Sequence, residues 1–171
     1  MALIKSVRGF SPVFGKDCYL AENSTIIGDV VLGSYCSVWF NAVIRGDVNS
    51  IRIGNMVNIQ DLSMLHCTFE KTTINIGNNV SIGHRVIVHG ADIEDNVLVG
   101  MGAVLMDNVV VGANSIIAAG SVLLEGTKVE PGSIYGGVPA KRLKEVDQEH
   151  VSGMIERIAR NYISYKKWYS G

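Results

Sequence analysis

The chain has 171 residues, of which 47% are hydrophobic, and its 15 Lys and Arg residues nearly balance its 16 Asp and Glu residues. This length suits one domain with a sizeable core, and a net charge of -1 argues against nucleic acid or an anionic membrane surface as a partner. No apolar run approaches the roughly 20 residues of a membrane span, the start lacks the apolar core of a signal peptide, and three cysteines are too few for a disulfide framework. We therefore expect a soluble protein of a reducing compartment, the cytoplasm.

A six-residue repeat runs through most of the chain. The 19 glycines and the low aromatic content of 7% favour short strands separated by tight turns. Large aliphatic residues form one column: Leu20, Ile26, Leu32, Val38, Ile44, Ile53, Ile59, Leu65, Ile76, Ile82, Val88, Ile93, Val99, Leu105, Val111, Ile117, Leu123 and Val129. Small or β-branched residues, two positions earlier in each unit, form a second column. Two inward columns in every six residues leave no room for a helix, so this part is predicted to be all β.

Such a repeat predicts a solenoid in which three six-residue units close one triangular coil. Coils stack at about 4.8 Å, and the large aliphatic side chains fill the interior. The pattern resembles the hexapeptide repeat of left-handed parallel β-helices over about residues 14–134, and the handedness is implied by that resemblance alone. We predict a single domain over 1–171, with a β-helix over about 12–137, a linker over 138–146 and a C-terminal helix over 147–169.

The position after the large aliphatic residue is often Gly, which lets the chain bend. Four units carry Arg45, Gln60, His66 or His89 there instead. Because the preceding aliphatic residue points inward, these four side chains are predicted to point outward, onto the flank of the prism. Such a group of outward polar side chains indicates a functional site or an interface. Cys36 lies in the small inward column and is predicted to pack in the core.

Three of the four histidines, His66, His84 and His89, make a metal site the leading hypothesis for the middle of the chain. Counting the eleven-residue step from Leu65 to Ile76 as two units places His66 and His84 on one flank, about a coil apart, and His89 on the next flank. Convergence within one chain is then not assured. A site shared between two neighbouring prisms would solve this geometry.

Several spaced motifs in the same region resemble the signature of gamma-class carbonic anhydrases and their broader relatives. These motifs are Asn-Ala-Val-Ile-Arg45-Gly-Asp47, Asn58-Ile-Gln60-Asp61, His66, Gly83-His84 and His89-Gly90. The resemblance implies a homotrimer in which the three histidines bind zinc, or iron in some members, with His66 and His89 from one subunit and His84 from its neighbour. It also implies that metal-bound hydroxide attacks CO2 to form bicarbonate.

The resemblance further implies roles for the polar residues around the histidines. Gln60 would orient the metal-bound solvent, Arg45 and Asp47 would form a salt bridge across the trimer interface, and Asp61 would act as an interface or supporting carboxylate. An intrachain surface pair is the alternative for Arg45 and Asp47. Two glutamates assigned to proton transfer in the best-characterised gamma enzymes are replaced here by Val48 and Phe69. Loss of both carboxylates is expected to slow turnover.

The repeat fades after Thr127, through a segment dense in Pro and Gly. Apolar residues then recur at helical spacing between Val151 and Tyr169, which predicts a helix that packs along a prism flank. Tyr162 resembles a tail tyrosine that reaches toward the metal site and binds bicarbonate in shorter family members, and helix packing is the alternative. His150, in a charged stretch, is predicted to be an ordinary surface residue.

The main hypothesis is therefore a trimeric, metal-dependent carbonic anhydrase-like enzyme. Hexapeptide acyltransferases are one alternative, because they share the coils, often carry a tail like Gly137-Val138-Pro139-Ala140, bind coenzyme A between prisms and use one histidine as a general base. A non-catalytic metal-binding scaffold is the other. The hypotheses differ in the expected metal content and in the need for three histidines at this spacing.

Overall fold

The computed structural model describes residues 1–147, 149 and 151–169, and it is a parallel β-solenoid of about seven turns with one C-terminal helix. This confirms the predicted left-handed β-helix of hexapeptide repeats. Within the described part of the chain, no helix is long and apolar enough to cross a membrane.

In the described part of the chain, twenty strands build the solenoid and its closing hairpin. They are β1 (Leu3–Lys5), β2 (Val13–Phe14), β3 (Tyr19–Leu20), β4 (Thr25–Leu32), β5 (Ser37–Val38), β6 (Val43–Ile53), β7 (Asn58–Ile59), β8 (Met64–His66), β9 (Ile74–Ile76), β10 (Ser81–Ile82), β11 (Ile87–His89), β12 (Asp92–Ile93), β13 (Leu98–Val99), β14 (Val104–Leu105), β15 (Val110–Val111), β16 (Ile116–Ile117), β17 (Val122–Leu123), β18 (Lys128–Val129), β19 (Ser133–Gly137) and β20 (Ala140–Glu145). Most have two or three residues, because the chain bends at every corner of the prism.

The strands stack in three columns, which we name faces A, B and C. Face A contains β8, β11, β14 and β17, face B contains β9, β12, β15 and β18, and face C contains β3, β5, β7, β10, β13, β16 and β19. The longer β4 and β6 run across the corner from face A to face B, which we call corner AB. The corner between faces C and A is corner CA, and the one between faces B and C is corner BC.

Both predicted inward columns are buried, which explains why stacking holds the solenoid together. Every large aliphatic residue of the first column is buried except Leu20, which is half-buried in the first coil. The smaller column, including Cys36, is buried as well, apart from the half-buried Thr127. Each buried Leu, Ile or Val side chain contributes about 1.5–3 kcal/mol, and no single coil can bury them alone.

The step from Leu65 to Ile76 spans one unit and not two. Leu65 of face A pairs in register with Val88, and Ile76 of face B pairs with Ile93. The extra residues form a turn at corner AB, where the amides of Lys71 and Thr72 donate to the carbonyl of Thr68. The predicted flank assignment of the histidines is therefore wrong, because a turn bulging from the corner adds residues without adding a side to the prism.

The end of the chain closes the solenoid differently from the prediction. Residues 140–145, expected within a linker, form β20, which pairs antiparallel with β19 and extends face C. A π-helical turn, Val151–Glu156, leads into helix α1 (Arg157–Tyr165), and a 3-10 turn, Lys166–Trp168, follows. Ile155 and Ala159 are buried, as expected for a helix that packs on the prism. His150 lies outside the described residues.

Candidate functional site

His66 and His89 stack on each other at corner AB. Each is the last residue of its face A strand, and the two pair in register between β8 and β11. Their rings are 5.3 Å apart between centroids, and His66 Nδ1 faces His89 Nε2 at 3.3 Å. The corrected coil count therefore places His66 with His89, and not with His84.

A carboxylate holds each of these rings through its outer nitrogen. His66 Nε2 lies 3.2 Å from Asp47 Oδ1, and His89 Nδ1 lies 2.9 Å from Asp107 Oδ1. Because an ionised carboxylate only accepts hydrogen bonds, the outer nitrogens carry the protons. In neutral rings, the two nitrogens that face each other then both present lone pairs.

The electrostatics of corner AB favour this protonation state. Burial lowers the pKa of His66 below its usual value, and the charge of Arg45 lowers it further. Burial acts to raise the pKa of Asp47, but the hydrogen bond and charge of Arg45 outweigh it and hold that pKa below its ordinary value. Arg45 Nη1 lies 2.5 Å from Asp47 Oδ2, so these two residues form an ion pair within one chain.

Asp107 is a site residue that the sequence reasoning missed. Thr68 Oγ1 donates to its Oδ2 at 2.5 Å, and Thr72 Oγ1 donates to its Oδ1 at 3.2 Å. Burial raises the pKa of Asp107, yet the hydrogen bonds from Thr68 and His89 outweigh burial and lower it. The available signal was its place two residues after Leu105 of face A, one coil beyond His89. Sequence spacing alone does not distinguish it from the other corner aspartates.

His84 lies at corner CA, on the other side of face A. It follows β10 of face C, and its Nδ1 lies 2.9 Å from Asp61 Oδ2. Gln60 occupies the same corner one coil earlier, since its amide nitrogen bonds the carbonyl of Ile82. Gln60 is 5% exposed, and its Nε2 donates to Asn58 Oδ1 at 2.9 Å. Gln60 is thus also separated from Arg45 and His66.

Asn58 anchors this amide and was also missed. Its Nδ2 donates to Ser81 Oγ at 2.8 Å, and both residues are buried. The chain of hydrogen bonds from Ser81 through Asn58 to Gln60 orients the Gln60 amide. Polar side chains that become buried require such partners, because an unpaired buried amide is costly.

Tyr162 of α1 lies at the His84 corner. Together with Gln60, His84 and Met101, it lines a cavity of about 370 Å³ between the helix and the prism. Its ring packs edge-to-face on Trp39 with 5.2 Å between centroids, and burial raises the pKa of its hydroxyl to about 12. Tyr162 therefore both packs and faces the cavity that contains His84.

The two positions that lack glutamate supply no proton acceptor. Val48 is partly buried against the core, and Phe69 is half-exposed with the Arg8 guanidinium 5.6 Å from its ring centroid. The predicted site residues therefore divide into two groups in one chain: Arg45, Asp47, His66 and His89 at corner AB, and Gln60, Asp61, His84 and Tyr162 at corner CA. Among the described residues, no three His, Cys, Asp or Glu side chains converge in a metal-binding group.

Comparison with known proteins agrees with this architecture. The family model described as bacterial transferase hexapeptide (six repeats) matches residues 11–46 and 90–125, and the hexapeptide repeat of succinyl-transferase matches residues 73–106. A crystal structure of a hexapeptide transferase family protein from Anaplasma phagocytophilum superposes with a TM-score of 0.92 and 36% identity, covering 98% of each chain.

The curated relatives are more specific. A protein from Geobacillus kaustophilus named carbonic anhydrase is 40% identical over 167 residues, which is 98% of this chain and 91% of the relative. Gamma carbonic anhydrase 2, a mitochondrial protein of Arabidopsis thaliana, is 40% identical over 161 residues, which is 90% of this chain and 57% of that protein's length. The chain belongs to the gamma carbonic anhydrase-like family of hexapeptide-repeat proteins.

Proposed function

We propose that this protein reversibly hydrates CO2 to bicarbonate with zinc, or iron, held between neighbouring subunits of a homotrimer. The proposal rests on two unprotonated ring nitrogens that face each other at corner AB. His66 Nδ1 and His89 Nε2 face each other at 3.3 Å while both outer nitrogens are committed to carboxylates. Two acceptors in this arrangement repel each other unless a cation lies between them.

The distance between these nitrogens suits zinc. With Zn–N bonds of about 2.0–2.1 Å and tetrahedral angles, two imidazole nitrogens lie about 3.3 Å apart. Metal-bound histidines typically donate their other ring nitrogen to a carboxylate, as His66 does to Asp47 and His89 does to Asp107. His84 is arranged in a similar way, because Asp61 Oδ2 lies 2.9 Å from its Nδ1 and its Nε2 is the nitrogen left to bind a metal.

The surface between the two corners supports the assembly. The outward side chains of face A form an apolar row that we call the face A stripe: Val43, Met64, Ile87, Val104 and Val122, which pair in register from β6 to β17. Ile87, at its centre, is 42% exposed.

A closed three-fold ring makes use of this arrangement. In such a ring, corner AB of each prism meets corner CA of the next, and face A turns toward the axis. The ring would cover the face A stripe and bring His84 of a neighbouring subunit to His66 and His89. Neither half-site is complete without a second copy of the chain.

When bound, the metal would supply the acidity that lets water react with CO2 near neutral pH. The residues of the chain do the rest. Asp47, Asp107 and Asp61 fix the three imidazoles, and the Gln60 amide, oriented by Asn58, offers a hydrogen bond to solvent in the cavity beside His84. Proton release has no carboxylate at Val48 or Phe69, so we expect slow hydration that rises with buffer concentration.

Metal analysis and stopped-flow CO2 hydration on the same trimer preparation test the proposal. We expect about one metal ion per chain and hydration that a chelator abolishes. His66→Ala and His84→Ala should each be inactive, and mixed trimers of the two variants should regain part of the activity, because some interfaces then hold only intact histidines. A metal-replete trimer with no hydration above buffer would refute the activity, and no rescue in proven mixed trimers would refute the shared site.

Acyl transfer is the second candidate, because His84 with Asp61 beside the 370 Å³ cavity also has the form of a general base with its orienting carboxylate. Calorimetry with coenzyme A distinguishes the two. Saturable binding of coenzyme A to a metal-free protein, weakened by His84→Ala, would favour transfer over hydration. Stoichiometric metal without coenzyme A binding and without hydration would favour the scaffold.

A further inference from the structure

Cys18 and Cys36 form a stacked pair at corner BC, the corner opposite face A. Each cysteine directly precedes a strand of face C, and those strands, β3 and β5, pair in register as Tyr19 with Ser37 and Leu20 with Val38. The two cysteines therefore occupy the same place on adjacent coils. Coils stack at about 4.8 Å, which lies within the Cα separation of about 4.4–6.8 Å that a disulfide spans.

Both thiols sit in the same local geometry. Cys18 Sγ lies 3.1 Å from the carbonyl oxygen of Gly33, and Cys36 Sγ lies 3.1 Å from the carbonyl oxygen of Gly54. Each sulfur thus contacts the coil that follows its own, and the sulfur of Cys18 is directed toward the coil that carries Cys36. Rotation of one of the two cysteine side chains would bring the sulfurs together for a disulfide bond.

The two sulfurs differ in exposure. A cysteine that reacts with an oxidant must be accessible, whereas the cysteine that then forms the disulfide with it can be buried. Cys18 is partly buried and lines a cavity of about 460 Å³ together with Asp17, Tyr35, Lys166 and Lys167, whereas Cys36 is 1% exposed. A small oxidant can therefore reach Cys18 but not Cys36.

The surroundings also favour the nucleophilic form of Cys18. Interaction with the neighbouring Cys36 thiol lowers the pKa of Cys18 to about 6 despite its burial, and the charge of Lys166 acts in the same direction. The same coupling, with burial, raises the pKa of Cys36, so that thiol stays protonated. Of the other groups that line the cavity, Lys167 adds positive charge and Asp17 negative charge.

We propose that Cys18 and Cys36 are a peroxide-reactive pair in which Cys18 is the reacting thiol and Cys36 the resolving one. The Cys18 thiolate attacks hydrogen peroxide, the O–O bond breaks, and Cys18 becomes a sulfenic acid while the departing hydroxide takes a proton to form water. Cys36 then attacks the sulfenic sulfur, and a second water leaves as the disulfide forms. Two thiols are oxidised and one peroxide is reduced to two waters.

The disulfide would stabilise the edge of the solenoid at β3. Among the described strands, β3 is at the end of face C and pairs with β5 alone, so it lacks the neighbour on one side that inner strands have. A covalent link from Cys18 to Cys36 would join this edge strand to the next coil. In the proposed trimer, corner BC faces away from the axis, so assembly leaves the cavity open.

Intact mass measurement of the full-length protein, treated with hydrogen peroxide under native conditions, tests the pair. We expect a loss of about 2 Da per chain, reversed by dithiothreitol, and a Cys18–Cys36 linked peptide after digestion under non-reducing conditions. Cys18→Ser and Cys36→Ala should both abolish this mass loss. Cys36→Ala should instead accumulate a sulfenic acid at Cys18 that dimedone traps, which a purely structural role of Cys36 would not produce.

Cys67 provides the control within the same chain. It is 1% exposed, so it should stay reduced and untrapped throughout, and Cys67→Ser should leave the mass loss unchanged. Retention of three free thiols after peroxide treatment would overturn the proposal. Disulfides between chains, or dimedone capture in the Cys36→Ala variant at a residue other than Cys18, would also overturn it.

Discussion

At the scale of single residues, the candidate site depends on two carboxylates that orient two imidazole rings. His66 and His89 can point unprotonated nitrogens at each other only because Asp47 and Asp107 accept from the opposite ring nitrogens. Asp107 is itself fixed by Thr68 and Thr72 from the turn at corner AB. The turn at corner AB therefore supports Asp107, which in turn orients His89.

We predict that Asp107→Asn weakens zinc binding by about 10–100-fold. The neutral amide of Asn replaces the charged carboxylate that accepts a hydrogen bond from His89 Nδ1, so the ring is held less firmly in the orientation for metal binding. Competition with a chromogenic chelator measures the affinity. Asp92→Asn is the matched control: Asp92 accepts from Asn75 on face B, away from the histidines, and its loss should leave zinc affinity unchanged. Equal affinities of Asp107→Asn and the unmodified protein would contradict the orienting role.

A second residue-scale prediction concerns the pH dependence of Cys18. With a pKa of about 6, Cys18 is mostly thiolate at pH 7, so its alkylation by iodoacetamide should lose rate as pH falls through about 6 and change little above about 7. Interaction with the Cys36 thiol is the largest cause of this low pKa. Cys36→Ala should therefore move the midpoint of the profile to higher pH, and a profile that does not move would refute the coupling.

At the scale of elements, corner AB works because β8 and β11 end on the same line and the chain turns sharply after each. Gly90 makes the turn after His89 with a φ of +61°, and a Cβ there would come within 2.3 Å of both Asp107 Oδ1 and Thr72 Oγ1. The glycine is therefore required both for the backbone conformation and for the carboxylate that orients His89.

Replacement of Gly90 by Ala should lower the free energy of unfolding by about 3 kcal/mol or more, since left-handed strain and a steric clash add. Gly102→Ala is the control, because Gly102 has a φ of +70° but no atom within 4 Å of a new Cβ, and we expect a loss of about 1–2 kcal/mol from strain alone. Urea unfolding of the metal-free proteins gives both values. Equal losses would mean that the packing around Gly90 relaxes at no cost.

At the scale of the whole molecule, the candidate site is divided by a full face of the prism. His66 and His89 lie at corner AB, His84 at corner CA, and the face A stripe lies between them. A rigid, stacked solenoid cannot bring its own corners together. In the proposed trimer a second chain would complete the site, and the exposed apolar stripe is the surface that such an assembly would cover.

Ile87→Lys should dissociate the proposed trimer, because a charge at the centre of the stripe would be buried without a partner. Sedimentation velocity should show a smaller species, and zinc affinity should fall in parallel as His84 of the neighbour is withdrawn. Val110→Lys is the control: Val110 is the outward residue of β15 on face B, and its replacement should alter neither property. A trimer that persists in Ile87→Lys would place the interface elsewhere.

The sequence by itself determined the solenoid, its inward columns, the residue types of the site and the family. Those features follow from local periodicity, since each six-residue unit specifies its own strand and bend and every coil repeats the same burial. Burial of nearly all residues in both predicted columns shows how completely this pattern encodes the core.

Only the tertiary structure decided how the site residues are grouped. The position of each histidine on the prism depends on whether the residues between Leu65 and Ile76 make a side or a turn, and their number does not distinguish the two. The same is true of Asp107, which stacking places one coil from His89, and of Asn58, which stacking places one coil from its partner Ser81. Contacts between coils join residues about 18–23 positions apart, and register across the coils, which hydrogen bonding between strands sets, is a property of the folded chain.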